Sequence, residues 1–174
     1  MTNKKRWEFI PGDEITIAPG RTVKRIRALV AIDGFGVSPG DLGGYVESEA
    51  NLAQVCGDAW VSGDAQVCGD AWVSGDAWVS GDAQVSGDGL IFWASKVGSE
   101  NGTLTVYNTK DNTLEVRSGC FRGSVTEFLA ASAAKHDARI KREYELLIEV
   151  ATSRIEAARA GPEVEAVQPA EEAA

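Results

Sequence analysis

Six near-identical hexapeptides run without interruption from Ala53 to Asp88: AQVCGD, AWVSGD, AQVCGD, AWVSGD, AWVSGD and AQVSGD. A fixed period this short dominates any local reading, because a single unit cannot bury its own apolar face and must stack on its neighbours. Within each unit a strand-type alternation is followed by Gly-Asp, a short strand and a corner. Gly accepts the left-handed backbone of a tight corner, and Asp can bond its own backbone there. The inward set is Val55, Val61, Val67, Val73, Val79 and Val85, with the small Ala59, Ala65, Ala71, Ala77 and Ala83 beside the corners. A helix is excluded, since Gly every six residues would cost about 1 kcal/mol each in a helix interior.

The same spacing continues in degraded form to Ile91 and Val97. Upstream, Val46, Ala50 and Leu52 read as one more unit, with a three-residue phase break between Leu52 and Val55. The run Val61-Ser-Gly-Asp-Ala65, an aliphatic residue followed four positions later by a small one, resembles the hexapeptide-repeat left-handed β-helix family. That resemblance implies a triangular prism with three hexapeptides per coil, so that residues 18 apart stack. The nine-residue period of Gly- and Asp-rich calcium-binding rolls is absent. The stretches Arg25–Leu29 and Gly40–Leu52 are similar to uncharacterised hexapeptide-repeat proteins of enterobacteria and their phages, labelled putative acetyltransferases or polymer-forming cytoskeletal-type proteins. This second resemblance spans residues 21–90 and implies a phage or prophage origin without an established active site.

The flanks read differently. Arg21–Ile32 alternates as a strand, with Ile26, Ala28, Val30 and Ile32 on one face, and Pro11-Gly12, Pro19-Gly20 and Pro39-Gly40 mark turns. Such a segment would cap the open end of a coil, whose unpaired backbone invites edge pairing. Thr103–Tyr107 and Thr113–Arg117 predict a hairpin around Lys110-Asp111-Asn112. Ser124-Val-Thr-Glu127 is a capping box that opens a helix running to about Ala134. A second, amphipathic helix is predicted over residues 138–160, where Ile140, Tyr144, Leu147, Ile148, Ala151 and Ile155 recur at helical spacing. Gly161-Pro162 ends it.

With the resemblance, the expected fold is mainly β: a short left-handed parallel β-helix over residues 46–98, carrying an N-terminal β cap (1–45), a C-terminal β-hairpin (99–123) and C-terminal α-helices (124–160), then a disordered acidic tail (161–174).

The net charge of −9 argues against general binding to nucleic acid or an anionic membrane. Charge is unevenly spread, however. Residues 1–32 carry Lys4, Lys5, Arg6, Arg21, Lys24, Arg25 and Arg27, whereas Val46–Trp93 has eight acids and no Lys or Arg. Cys56, Cys68 and Cys120 form neither a disulfide framework nor a metal spacing, and read as reduced thiols of a cytoplasmic protein, the host cytoplasm if phage-encoded. No segment is apolar over a membrane-spanning length, and the polar start has no leader pattern.

Catalysis finds little support in the repeat. Acyltransferases with the resembling fold generally use a histidine on the coil as general base, and a zinc site of the related carbonic-anhydrase type needs three. The single histidine here is His136, between the predicted helices. The repeated Asp side chains read as corner residues rather than converging calcium ligands. No catalytic residue, metal or cofactor is therefore assigned. What breaks the symmetry is the outward column. With an 18-residue stacking, Trp60 lies under Trp78 with Lys96 next, and Trp72 lies between Gln54 and Leu90. Exposed Trp points to an interface or to a stacking platform for a ligand. Three functions remain: a non-enzymatic oligomeric structural or interaction protein of phage type, a homotrimer by the family's habit; a protein sequestering a small anionic molecule such as a nucleotide signal at subunit boundaries in counter-defence, through Lys24, Arg25, Arg27 and the Trp column; and an acyl-CoA-dependent acetyltransferase.

Overall fold

The computed structural model describes residues 5–54, 57–87 and 89–160. The expectations for Val55, Cys56, Asp88 and the tail 161–174 lie outside the described residues. The first hairpin is β1 (Trp7–Ala18) and β2 (Arg21–Ala28), antiparallel and turned at Pro19-Gly20. Strand β3 (Leu42–Val46) pairs with β2 on one edge, antiparallel, and in parallel with Gln66–Val67 of the third hexapeptide on the other. The repeats supply only two-residue strands: β4 (Trp60–Val61), β5 (Gln66–Val67), β6 (Trp78–Val79) and β7 (Gln84–Val85).

These short strands pair in parallel at the spacing the family resemblance implies. Trp60 faces Trp78, Val61 faces Val79, and Gln66 faces Gln84, all 18 positions apart. The phase break is visible too, because Val46 pairs with Val67 and Leu52 bridges Val73. Val46, Val61, Val67, Val73, Val79 and Val85 are all 0% exposed. Each full burial of such a side chain is worth roughly 1.5–3 kcal/mol relative to exposure.

The stack is nevertheless not the left-handed parallel β-helix of the sequence reading. Strand order β1-β2-β3-β5-β7 makes one mixed sheet, antiparallel at one end and parallel at the other, while β4 and β6 form a separate pair. The longer strands are antiparallel. Ile91 and Val97, expected to extend the coil, instead bound β8 (Ile91–Val97), which pairs antiparallel with β9 (Gly102–Asn108). Beyond Gly87-Asp88 the Gly-Asp corner no longer recurs at six, its next position being Trp93-Ala94, so the sequence has no further corner to turn the chain back onto the stack. The predicted hairpin is β9 with β10 (Leu114–Ser118), but it forms the middle of a four-stranded antiparallel sheet with β8 and β11 (Phe121–Ser124).

Helix α1 (Val125–Lys135) begins at Ser124, with both halves of the capping box formed. Helix α2 runs Ala138–Ala160 and buries Ile140, Tyr144, Ile148, Ala151 and Ile155. That stripe packs on the second sheet, against Leu104, Val106 and Val116. Strand β9 joins the two cores by simple alternation. Leu104 and Val106 face the helices, whereas Tyr107 belongs to the core of the stack and Thr105 Oγ1 accepts a hydrogen bond from the Trp78 backbone N–H at 3.4 Å.

Both ends of the stack are covered. β2 occupies the outer edge of β3, and Gln54 ties the start of the repeats to the Arg6–Trp7 backbone by side-chain hydrogen bonds. At the far end Ala83 bridges Thr109, Tyr107 Oη bonds Ser80, and Arg117 Nε donates to Ser80 Oγ at 2.8 Å. Two glycine sites set the close approach of neighbouring turns. A Cβ on Gly44 would stand 2.7 Å from the Ala65 carbonyl oxygen, and one on Gly57, at φ +74°, would stand 2.0 Å from the Gly75 carbonyl oxygen.

Candidate functional site

The outward column divides into three unlike fates. Trp60 is 1% exposed, inside the core. Trp78 is half-buried: its ring lies 4.7 Å from that of Phe35, the Arg117 guanidinium sits over it at 3.6 Å, and its Nε1 donates to Ser62 Oγ at 2.9 Å. Its ring is thus occupied by the chain's own loop and hairpin. Trp72 alone stands out from the stack, 56% exposed. Lys96 does not join the column. It lies on β8 at an irregularity between Ser95 and Val97, with φ +61°, exposed and in the other sheet. Likewise the outward position of Cys68 is covered by Val23 and Tyr45. Burial pushes its thiol pKa up, with Arg21 opposing.

The basic strand pairs its arginines within the molecule. Arg25 lies against the Tyr45 ring, 4.2 Å from its centroid, donates to the Gly43 carbonyl and Tyr45 Oη, and ion-pairs with Asp13 at 3.1 Å. Arg27 pairs with Glu8. Lys24 is exposed, its Nζ 5.6 Å from the Phe9 ring centroid. Alternation along β2 points Arg25 to one face and Lys24 to the other. The strand therefore does not gather its charges into one anion site.

A concave site lies elsewhere, between the helices and the second sheet. A cavity of about 510 Å³ is walled by Phe121, Phe128 and Tyr144, with Ala131, Ser132, Lys135 and His136 along the end of α1. The β8–β9 and β10–β11 turns complete its rim with Glu100 and Cys120. Its walls are rigid aromatic pairs: Phe121–Phe128 at 5.3 Å and Phe128–Tyr144 at 4.9 Å, both edge-to-face. His136 closes α1, its backbone N–H donating to the Ser132 carbonyl at 2.9 Å, with Nδ1 3.5 Å from Ser99 Oγ. Cys120 is an exposed free thiol. Of these residues the sequence singled out His136 as lying between helices, Tyr144 as part of a helical stripe and Cys120 as a free thiol, none of them as part of a common site. Their convergence carries no local signal, because four separate segments meet to make the cavity.

A second concavity of about 470 Å³ is polar and includes Asn108, Lys110 and Arg159. Its cations are engaged: Lys110 with Asp82 at 2.8 Å, and Arg159 with Asn108 Oδ1 at 2.8 Å. Among the described residues, no group of three or more His, Cys, Asp or Glu side chains is placed to hold a metal ion, and no helix is long and apolar enough to cross a membrane.

The repeats are similar to a family described as YdcK Beta solenoid repeat, matched over residues 53–69 and again over 65–81. The two matches are offset by two hexapeptides, as a repeat unit sliding along its own period would be. This supports a β-solenoid type of repeat for the stack and leaves the flanking sheets and helices uncovered. No curated protein and no solved structure matches the chain.

Proposed function

We propose that the chain is a non-enzymatic interaction protein, a β-solenoid scaffold that associates with copies of itself through the side of the stack bearing Trp72. The observation that carries this reading is the 56% exposure of Trp72 in a stack whose inward Val residues are 0% exposed. A large indole left in water on a short, rigid wall is a residue type enriched at interfaces. Closure of both ends of the stack by β2 and by β9 favours lateral association over end-to-end polymerisation. On α2 the exposed Leu146 and Val150 offer a second small apolar strip. A trimer, by the habit of the hexapeptide-repeat family, in the cytoplasm of a phage-infected or lysogenic host, by the resemblance of residues 21–90, is the specific form of this proposal.

The test is built into the repeat, which places Gln at the equivalent position in three other units (Gln54, Gln66 and Gln84). Light scattering coupled to size exclusion, at micromolar concentration, is expected to show an oligomer for the native chain and a monomer for Trp72→Gln. A monomeric native chain would sink the reading. Thermal stabilisation by acyl-CoA would favour the acetyltransferase instead, and stabilisation by a nucleotide the sequestering protein.

A further inference from the structure

We infer that the polar concavity between the end of the stack, the β9–β10 turn and the last turn of α2 binds a small hydroxylated acid through one carboxylate. The site lies apart from Trp72, and the inference does not rest on self-association. Its volume, about 470 Å³, falls within the range of small-molecule sites. Its described lining residues include two cations, Lys110 and Arg159, and no acid, in a chain of net charge −9.

The two cations differ in what holds them. Lys110 is paired with Asp82 at 2.8 Å, so its charge is met within the chain. Arg159 is held by neutral oxygens alone. Its Nε and Nη2 donate to Asn108 Oδ1, and Nη2 also donates to the Thr113 carbonyl at 3.2 Å. Asn108 is 4% exposed, and its own Nδ2 donates to the Thr109 carbonyl at 2.9 Å and to the Gln84 carbonyl at 3.5 Å. That network fixes the guanidinium without cancelling its charge. The C-terminus of α2 contributes only about half a negative charge, so a net positive charge is left. Nη1 has no hydrogen-bond partner among the described residues, and a carboxylate is the strong acceptor for such a group. The exposed side chains of Gln84, Ser86 and Asn112 share the concavity and can bond hydroxyl groups of the same molecule. One uncompensated cation among amides and a hydroxyl selects one carboxylate on a hydroxylated body.

The probes are gluconate, gluconamide and glucamine, one hydroxylated chain ending in a negative, a neutral and a positive group at neutral pH. Each is titrated into the isotope-labelled full chain and followed by NMR chemical shifts. Gluconate is expected to bind about tenfold more tightly than either of the others, a difference of about 1.4 kcal/mol. It should also move the side-chain amide signals of Gln84 and Asn112. Gln84→Glu, an exposed and nearly isosteric change, puts an acid into the concavity. It is expected to remove the preference for gluconate while leaving gluconamide binding and the melting temperature unchanged. Arg159→Gln should bring gluconate down to the affinity of gluconamide, and Arg159→Lys, which restores the charge, should recover part of the preference. If Arg159 served only to clamp α2 to the β9–β10 turn, Arg159→Gln would lower the melting temperature and leave the preference intact. Glu163 and Glu165 follow Arg159 closely in the sequence and are a second source of carboxylate. Glu163→Gln/Glu165→Gln in the full chain is expected to leave gluconate binding unchanged. Gluconate binding seen only in that double variant would assign Arg159 to the chain's own acids and overturn the proposal. So would the absence of gluconate binding, equal binding of gluconate and gluconamide, or a preference that survives Arg159→Gln.

Discussion

The repeat stack and the sheet–helix unit that follows it are built on opposite plans. In the stack, Ala and Val recur on a six-residue period, the side chains are small, and the inward Val positions are completely buried. In the sheet–helix unit the core is irregular and aromatic, with Phe121, Phe128 and Tyr144 meeting edge-to-face beside a cavity. Regularity lets identical neighbours close-pack and leaves little room between them. Irregular large side chains from several segments tile less completely, and they leave the cavity walled by Phe121, Phe128 and Tyr144. The stack is thus closed by repetition, and the irregular unit holds the open space.

The sharpest way to break this comparison is to damage each core in turn. Trp60→Ala removes an indole that is 1% exposed and is expected to cost about 3–5 kcal/mol, read as a lower urea midpoint. Because β9 contributes Tyr107 to one core and Leu104 and Val106 to the other, a single transition is expected. Two separate transitions, with the helical signal unaffected by Trp60→Ala, would show that the regions fold independently.

Alkali probes the seam itself. Tyr107 is fully buried, and its pKa is pushed up to about 12, first by burial and then by its hydrogen bond to Glu115, with Ser80 opposing. The folded state holds the phenol proton more tightly than the unfolded chain, so this contribution is complete below pH 10 and is lost as pH rises from about 10 toward 12. The expected loss is on the order of 2–3 kcal/mol across that window. Tyr107→Phe should flatten that slope in urea titrations at stepped pH. An unchanged slope would remove Tyr107 from the seam.

Smaller effects follow at the edges of the two plans. Ser124→Ala deletes the hydroxyl that accepts from the Glu127 backbone N–H at 3.3 Å, and should lower stability by about 1 kcal/mol. Trp72→Gln should change monomer stability by under about 0.5 kcal/mol, as exposed substitutions do. Set beside Trp60→Ala, it contrasts two Trp residues at one position of the same repeat. A large loss for Trp72→Gln in a monomer would mean that its indole supports the stack rather than a partner.

Much of this molecule was legible locally. The 18-residue register of Trp60 with Trp78 and of Gln66 with Gln84 is the one the family resemblance implied, and the three-residue phase break reappears as the 21-residue register of Val46 with Val67. The capping box and the stripe from Ile140 to Ile155 placed both helices. These signals are short-range and repeated, so a single chain displays them. The sequence alone therefore determined the repeat, its phase break and the helices, and the resemblance added the stacking interval.

The tertiary structure decided the rest. It turned Ile91–Val97 out of the stack into an antiparallel sheet, and it gave Trp60, Trp72 and Trp78 three different environments at equivalent positions. It paired Arg25 and Arg27 with their own sheet, and assembled a cavity from residues as distant as Glu100 and Tyr144. Each outcome depends on which remote segment arrives to cover a given face. A six-residue period specifies what its neighbours in the stack will be; it carries no information about what lands on its outside.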